Sequence, residues 1–414
     1  MSTTEMTFDF VAPSRIVFGW GRRREAGGLA RSLGRRAFIV CGSRTLELSG
    51  VIHEIIESLR DAGVESIRTE MISREPLVED VDRSVASLRK HRAGAGDLLL
   101  AIGGGSAIDL AKAAGALVTQ DSMVSVLDYL EGVGKGLKIV NAPLPVLAMP
   151  TTGGTGSEAT KNAVISSYDP PFKKSLRSEL MVPRVVLVDP ELSVSVPPHI
   201  TAWTGMDAIT QLVESLISRR ATAATRHVAW CGLMFAVPNV AEAYRNGNSR
   251  TAREAMAQAA FLSGVALANS GLGMAHGIAA ALGVHCCVPH GLACAVMLPV
   301  ALRVNASIDA VNSKLAEAAL AILGAMAMHP LLSGEQAMPE QAHVETGRKI
   351  GAQAAIARVE ALCDDLKIPH RLSEIGVKRE QIPAIVRDSR GNSMSGNPRD
   401  LSDEELTRIL EEML

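Results

Sequence analysis

The sequence has no excess of either charge: 42 Lys and Arg stand against 44 Asp and Glu. That balance leaves no basic footprint for a nucleic-acid partner. Long apolar runs are lacking too, because Gly, Pro or a charged residue interrupts each hydrophobic stretch before it reaches membrane-spanning length. The N-terminal MSTTEMTFDFVAPSRIVFG carries no basic stretch followed by an apolar core, so an export leader is not expected. The six cysteines form neither a CxxC pair nor a disulfide framework, and adjacent Cys286 and Cys287 read as small buried hydrophobes. These absences together lead to the expectation of a soluble, cytoplasmic chain that acts on something other than nucleic acid or membrane.

What is present is a large apolar content. At 47% hydrophobic over 414 residues, the chain can fill about two or three cores by the length rule. Strand and helix patterns alternate through the first half. Strands are expected at 15–19, 36–42, 66–72, 97–102, 144–149 and 185–188, with helices over 51–62 and 78–91. That order implies a parallel sheet covered by helices on both faces, with ligands beyond the carboxyl ends of its strands. After Asp189-Pro190 only helical patterns remain, over 200–218, 224–244, 251–268, 291–305 and 345–366. A capping box at Ser402 and Glu405 opens a last helix, and residues 324–341 are poorly patterned. The expected organisation is an α/β domain over 1–192 and an all-helical domain over 193–414, with residues 190–198 as the hinge.

Two glycine-rich turns fall at expected strand ends. Gly103-Gly104-Gly105-Ser106 separates DLLLAI from the helix AIDLAKAAGALV, and PTTGGTGSEAT (150–160) follows LPVLAM. Glycines admit a phosphate close to the backbone, and the free N–H groups of a helix start attract its charge. The spacing is not the GxGxxG fingerprint, yet two such turns together favour a nucleotide cleft. In the helical half, Asp207 and Gln211 stand at i and i+4, projecting from one face. His276 and His290 flank an Ala-rich helical run with a break at Pro289, which can bring the second imidazole back to the first. Four donors could therefore converge.

GGGSAIDLAK (103–112), PTTGGTGSE (150–158), Lys173 with PRVVLVDPEL (183–192), GMDAITQ (205–211), GMAHG (273–277) and PHG (289–291) together resemble the iron-containing, or group III, alcohol dehydrogenase family over nearly the whole chain. The resemblance implies a Rossmann-like N-terminal domain and an all-helical C-terminal domain, the two-domain plan also seen in dehydroquinate synthase. It implies NAD or NADP in the cleft between them, a divalent metal (Fe²⁺ or Zn²⁺), hydride transfer between a small alcohol or aldehyde and the nicotinamide, and assembly as a homodimer. Carried over by position, Gly104, Gly105 and Ser106 would contact the pyrophosphate, while Asp109, Thr151, Thr152, Thr155 and Lys173 would line the rest of the dinucleotide site. Asp207, His276 and His290 fall on catalytic metal-ligand positions.

Three departures accompany the likeness. Gln211 stands where most members have a His ligand, offering a harder, neutral amide oxygen. Ala280 replaces a histidine near the substrate, and His285 is a candidate substitute that also reads as structural. The end of the second strand, Cys41-Gly42-Ser43-Arg44, lacks the acid that NAD-preferring relatives often place on the ribose. Gly42 and Ser43 would line that end, and NADP is permitted there. The weakened ligand set leaves open a metal-independent reductase of the maleylacetate type. A lyase or cyclase of the dehydroquinate synthase type and a non-catalytic nucleotide sensor are the other readings.

Overall fold

A run of aliphatic residues with no polar alternation is stable as a strand only when both of its faces are covered. Leu98 to Ile102 is such a run, and every residue in it is fully buried at the middle of a six-stranded sheet. The computed structural model describes residues 7–42, 44–120, 125–323 and 351–414. Ser43, the segment 324–341 and the start of the helix expected at 345–366 lie outside the described residues.

The first half contains β1 (Arg15–Phe18), α1 (Ala26–Arg31), β2 (Arg36–Cys41), α2 (Arg44–Leu48), α3 (Val51–Asp61), β3 (Glu65–Met71), α4 (Val78–Lys90), β4 (Asp97–Gly103), α5 (Gly105–Leu117) and β5 (Val146–Pro150). A hairpin of β6 (Asn162–Tyr168) and β7 (Pro171–Arg177) follows, then β8 (Val185–Val188). The main sheet runs β1-β8-β5-β4-β2-β3 with every pair parallel. Apolar residues of α1 and α3 cover one face, and those of α4 and α5 the other. From β2 the chain moves outward to β3, then crosses back to β4 on the other side. The carboxyl ends of β2 and β4 therefore form a topological switch point, where a ligand crevice opens.

The antiparallel hairpin was not anticipated from the sequence. Its buried residues Ala163, Ile165, Phe172 and Leu176 are scattered among polar ones, and Lys173, Lys174, Ser166 and Ser167 make the segment look like a solvated loop. It packs on α5 and projects beyond the sheet, with β7 against the second half.

No strand occurs among the described residues after Val188. The second half consists of α6 (Pro198–Ile217), α7 (Ala223–Arg245), α8 (Arg250–Ser270), α9 (Met274–Cys286), α10 (His290–Asn305), α11 (Asp309–Glu317), α12 (Ala319–Leu323), α13 (Ala352–Asp365), α14 (Ile382–Asp388) and α15 (Asp403–Glu412). Ser402 and Glu405 form the expected capping box on α15. α6 is buried almost all round by α7, α8 and α10, the pattern of a central helix. No single described helix is long and apolar enough to cross a membrane. The cysteine pair at the end of α9 is a correction: Cys286 is half-buried and Cys287 exposed. Cys287 caps the helix in the left-handed region at φ 55°, which turns the chain outward before Pro289 starts α10.

Candidate active site

The switch point is closed by glycine backbones. Gly42 donates its N–H to Ile102 O at 2.7 Å, and a Cβ on Gly42 would lie 2.7 Å from Gly103 Cα. Only residues without side chains permit β2 and β4 to end this tightly. Gly104 then caps α5 with no side chain satisfying the first N–H groups, which leaves a helix start able to receive a phosphate. A Cβ on Gly105 would meet Thr155 Oγ1 at 2.8 Å, and one on Gly104 would stand 3.4 Å from Thr152 Oγ1. The two glycine-rich turns therefore face each other. Thr151 N is bonded to Gly103 O at 3.0 Å, and Ser106 and Thr155 line the cleft.

Asp109 and Lys173 also line the cleft, and both have protein partners. Asp109 Oδ2 accepts from Val164 N at 2.9 Å, Oδ1 accepts from the Ser157 hydroxyl, and Lys112 pairs with Oδ1 at 3.0 Å. Its carboxylate thus ties α5 to the PTTGGTGSE turn and to the hairpin. Lys112, fully buried, donates to Ser157 O at 2.8 Å and Thr160 Oγ1 at 2.9 Å. Lys173 rises from β7 toward α9, forms an ion pair with Glu75 and lines the cleft.

In the same turn, burial pushes the Glu158 carboxyl up to about 7. The folded state therefore holds a proton that the unfolded chain releases near 4.5. Stability falls as pH rises between those values, by on the order of 3 kcal/mol for a shift of this size. Glu158→Gln removes the penalty, so its thermal midpoint should exceed that of the parent at pH 8 and match it near pH 4.5. Melting curves across that range check the sign.

The helical half supplies a second cluster. α6 carries Asp207, Gln211 and Glu214 along one buried stripe, α9 brings His276 in its first turn, and α10 begins with His290. His276 Nε2 lies 3.2 Å from Asp207 Oδ1, and His290 Nε2 lies 3.9 Å from the same oxygen. The two rings meet edge to face at 5.6 Å. Donor atoms of Asp207, His276, His290 and Cys294 all lie within 4.8 Å of one another. Burial opposes ionisation of Asp207, but its bond with His276 and the nearby His290 hold the carboxyl below its ordinary value. Burial, reinforced by the Lys173 charge, pushes His290 down to about 4, so its ring is neutral at pH 7 and can serve as a ligand.

Glu214, missed in the sequence, organises this cluster. It accepts from Ala275 N at 2.7 Å and His276 N at 3.4 Å, capping α9, and its Oε2 lies 2.7 Å from His276 Nδ1. Burial opposes charging of His276, yet Cys294, Asp207 and Glu214 outweigh it and raise its pKa, so a cation at Nε2 would displace a proton. A carboxylate on Nδ1 fixes the proton there and leaves the Nε2 lone pair for a cation, the usual arrangement behind a metal-bound histidine. The signal in the sequence was the i, i+7 spacing of Asp207 and Glu214.

Gln211 does not present a free amide. Its Oε1 accepts from Ser263 Oγ at 2.6 Å, and its Nε2 donates to Thr155 O at 3.3 Å. The opposite amide orientation would set two carbonyl oxygens against each other, so the network fixes this one. His285 turns away from the cleft, with its Nε2 2.6 Å from Asp388 Oδ2. Ala280 lines the cleft, and His285 does not.

The likeness to known proteins follows the same two parts. The family model for iron-containing alcohol dehydrogenase matches residues 13–190, and that for the C-terminal part of the Fe-containing alcohol dehydrogenase family matches residues 201–414. Choline dehydrogenase of Bacillus subtilis (strain 168) is 31% identical over 95% of this chain and 92% of its own length. The 1,3-propanediol dehydrogenase of Klebsiella pneumoniae is 31% identical over 97% of each. Among solved structures, sulfoacetaldehyde reductase from Bifidobacterium kashiwanohense in complex with NAD⁺ superposes with a TM-score of 0.82 at 26% identity, over 99% of both chains.

Proposed function

The chain belongs to the iron-containing alcohol dehydrogenase family, and from that premise we propose how its own residues carry out the family's reaction. The protein is an oxidoreductase that uses a nicotinamide dinucleotide and a divalent metal to interconvert an alcohol and an aldehyde. In our reading the domains are 1–192 and 193–414, and Asp207, His276 and His290 hold the metal. Gly42, Ser43, Gly104, Gly105, Ser106, Thr151, Thr152 and Thr155 receive the dinucleotide. Asp109 serves the same site by positioning the 150–160 turn, and Lys173 borders it from the hairpin. One observation carries this reading: Gly105, Ser106 and Thr155 line the same cleft as Asp207, His276 and His290.

A divalent ion held there would supply Lewis acidity to the alcohol or carbonyl oxygen. The neutral His290, the anionic Asp207 and the Glu214-oriented His276 fit such an ion by donor type. Trp203, Leu272 and Ala280 give the cleft apolar walls that exclude water around the reacting carbon. Ala280 cannot carry a proton, and the Lys173–Glu75 ion pair lines the same cleft as a titratable couple that could exchange the substrate proton with solvent.

The substrate is a small alcohol or aldehyde, and a panel of these assayed with NADH and NADPH, with and without added metal, tests the whole reading. Activity that survives complete chelation would return the maleylacetate-type alternative. Arg44 is exposed at the start of α2, beside the β2 end that bears no acid. Arg44→Ala should weaken NADPH binding more than NADH binding, as measured by titration of each. We further place the enzyme in the cytoplasm as a homodimer. The edge strand β1, with Ile16 45% exposed and Phe8 and Phe10 exposed before it, offers apolar surface for a second copy. Sedimentation velocity tests the assembly.

Glu214→Gln tests the orienting carboxylate. The amide keeps an acceptor for the α9 N–H groups but sets a donor against His276 Nδ1–H, which moves the ring proton to Nε2. Metal affinity should fall by about ten- to a hundredfold, read by competition with a chromophoric chelator.

A further inference from the structure

We infer that Cys294 is the fourth protein ligand of the metal, taking the part that the sequence assigned to Gln211, and that the resulting Asp–His–His–Cys set favours Zn²⁺. The inference rests on the metal-binding reading above and adds to it the identity of one donor.

Four observations support it. The Cys294 sulfur is fully buried and lies 3.7 Å from His290 Nε2. His290 and Cys294 stand at i and i+4 on α10, so both project from one face of the first two turns. Donor atoms of Cys294, Asp207 and His276 also lie within 4.8 Å of one another. Finally, both ends of the Gln211 amide are engaged by Ser263 and Thr155, so turning its oxygen to a metal would compete with these bonds. A buried cysteine is ordinarily a small hydrophobe, but such a residue has apolar neighbours on every side, whereas this sulfur faces a carboxylate and two imidazoles.

The separations agree with one coordination shell. Bonds of about 2.3 Å to sulfur and about 2.0–2.1 Å to nitrogen or oxygen give tetrahedral edges of about 3.3–3.6 Å. Three of the six edges are 3.2 Å for His276 to Asp207, 3.9 Å for His290 to Asp207 and 3.7 Å for Cys294 to His290, and the other three lie within 4.8 Å. Coordination converts the Cys294 Sγ–H to a thiolate and releases that proton to solvent. Thiolate with imidazole and carboxylate is a donor set that suits zinc better than an all-oxygen or amide-bearing one.

The test uses the full-length protein, stripped and reloaded with Co²⁺ in place of the native ion. A bound cobalt thiolate absorbs in the near ultraviolet, separately from the visible ligand-field bands that report any tetrahedral cobalt. The expected result is both absorptions in the parent and in Gln211→Ala, with the near-ultraviolet band lost in Cys294→Ser. Cobalt bound at one per chain without that band, or a band unchanged in Cys294→Ser, overturns the ligand assignment and leaves the metal site standing. Failure of the parent to retain cobalt or zinc overturns the metal site as well. Should Cys294→Ser not fold, X-ray absorption at the zinc edge of the parent protein decides the same point: one sulfur at about 2.3 Å is expected, and a shell of nitrogen and oxygen alone overturns the assignment.

Discussion

Asp207→Ala is expected to lower kcat/KM by on the order of a thousandfold or more and to leave the protein with little metal after dialysis. Asp207 is the only carboxylate in the donor cluster, buried at 2% exposure, and both imidazoles are arranged around its Oδ1. Its removal takes away the one charge among the described ligands that neutralises a divalent ion without first losing a proton. The polarisation a metal gives to a carbonyl or hydroxyl oxygen is worth several kcal/mol, and about 1.4 kcal/mol corresponds to each factor of ten in rate. Metal analysis and steady-state kinetics on one preparation provide the check. Unchanged turnover with unchanged metal content would show that the cluster is not the reaction centre.

Gly105→Val should abolish measurable dinucleotide binding while leaving the metal content intact. The β-branched side chain would begin 2.8 Å from Thr155 Oγ1, within the gap between the two glycine-rich turns. Either Thr155 moves or α5 retreats, and in both cases the helix start no longer meets the pyrophosphate at hydrogen-bonding distance. Calorimetric titration of the folded variant with NADH and NADPH measures the loss. Binding at parental affinity would remove this loop from the cofactor site. The variant separates the two halves of the cleft, because Asp207 and His276 lie on helices that the substitution does not touch.

The main sheet and the long helices were legible in the sequence because each is set by local pattern. DLLLAI could only be a doubly covered strand, and the 3.6-residue rhythm persisted through α6 to α8. The β6–β7 hairpin was not legible, since its polar residues are explained only by the cleft they border. Asp207, His276 and His290 could be read from spacing and motif, whereas Cys294 looked like one apolar residue within the run LACAVMLP. Its meaning depends on α6 and α9 converging on α10, which is tertiary information. The same holds for Gln211, whose partners Thr155 and Ser263 are 56 and 52 positions away in sequence. Glu214 lay in plain view on the right helical face, seven residues after Asp207, but that spacing alone did not set it apart from the many acids that decorate helices.

The contact between Gly156 and Gly264 has a mechanical consequence. A Cβ on Gly156 would lie 2.5 Å from Gly264 Cα, and one on Gly154 would lie 2.5 Å from Thr204 Cβ. The turn that bears Thr155 is thus seated backbone to backbone on α8 and pressed against α6, with no compliant side chain between it and α8. Such a joint has no room for a side chain on either glycine, so it sets how closely the sheet half approaches the helical half. Thr155 is at this point, with its hydroxyl toward Gly105 and its carbonyl holding Gln211. A side chain at Gly156 or Gly264 would therefore displace Thr155 and, through it, both the gap to the cofactor loop and the amide of Gln211 on α6.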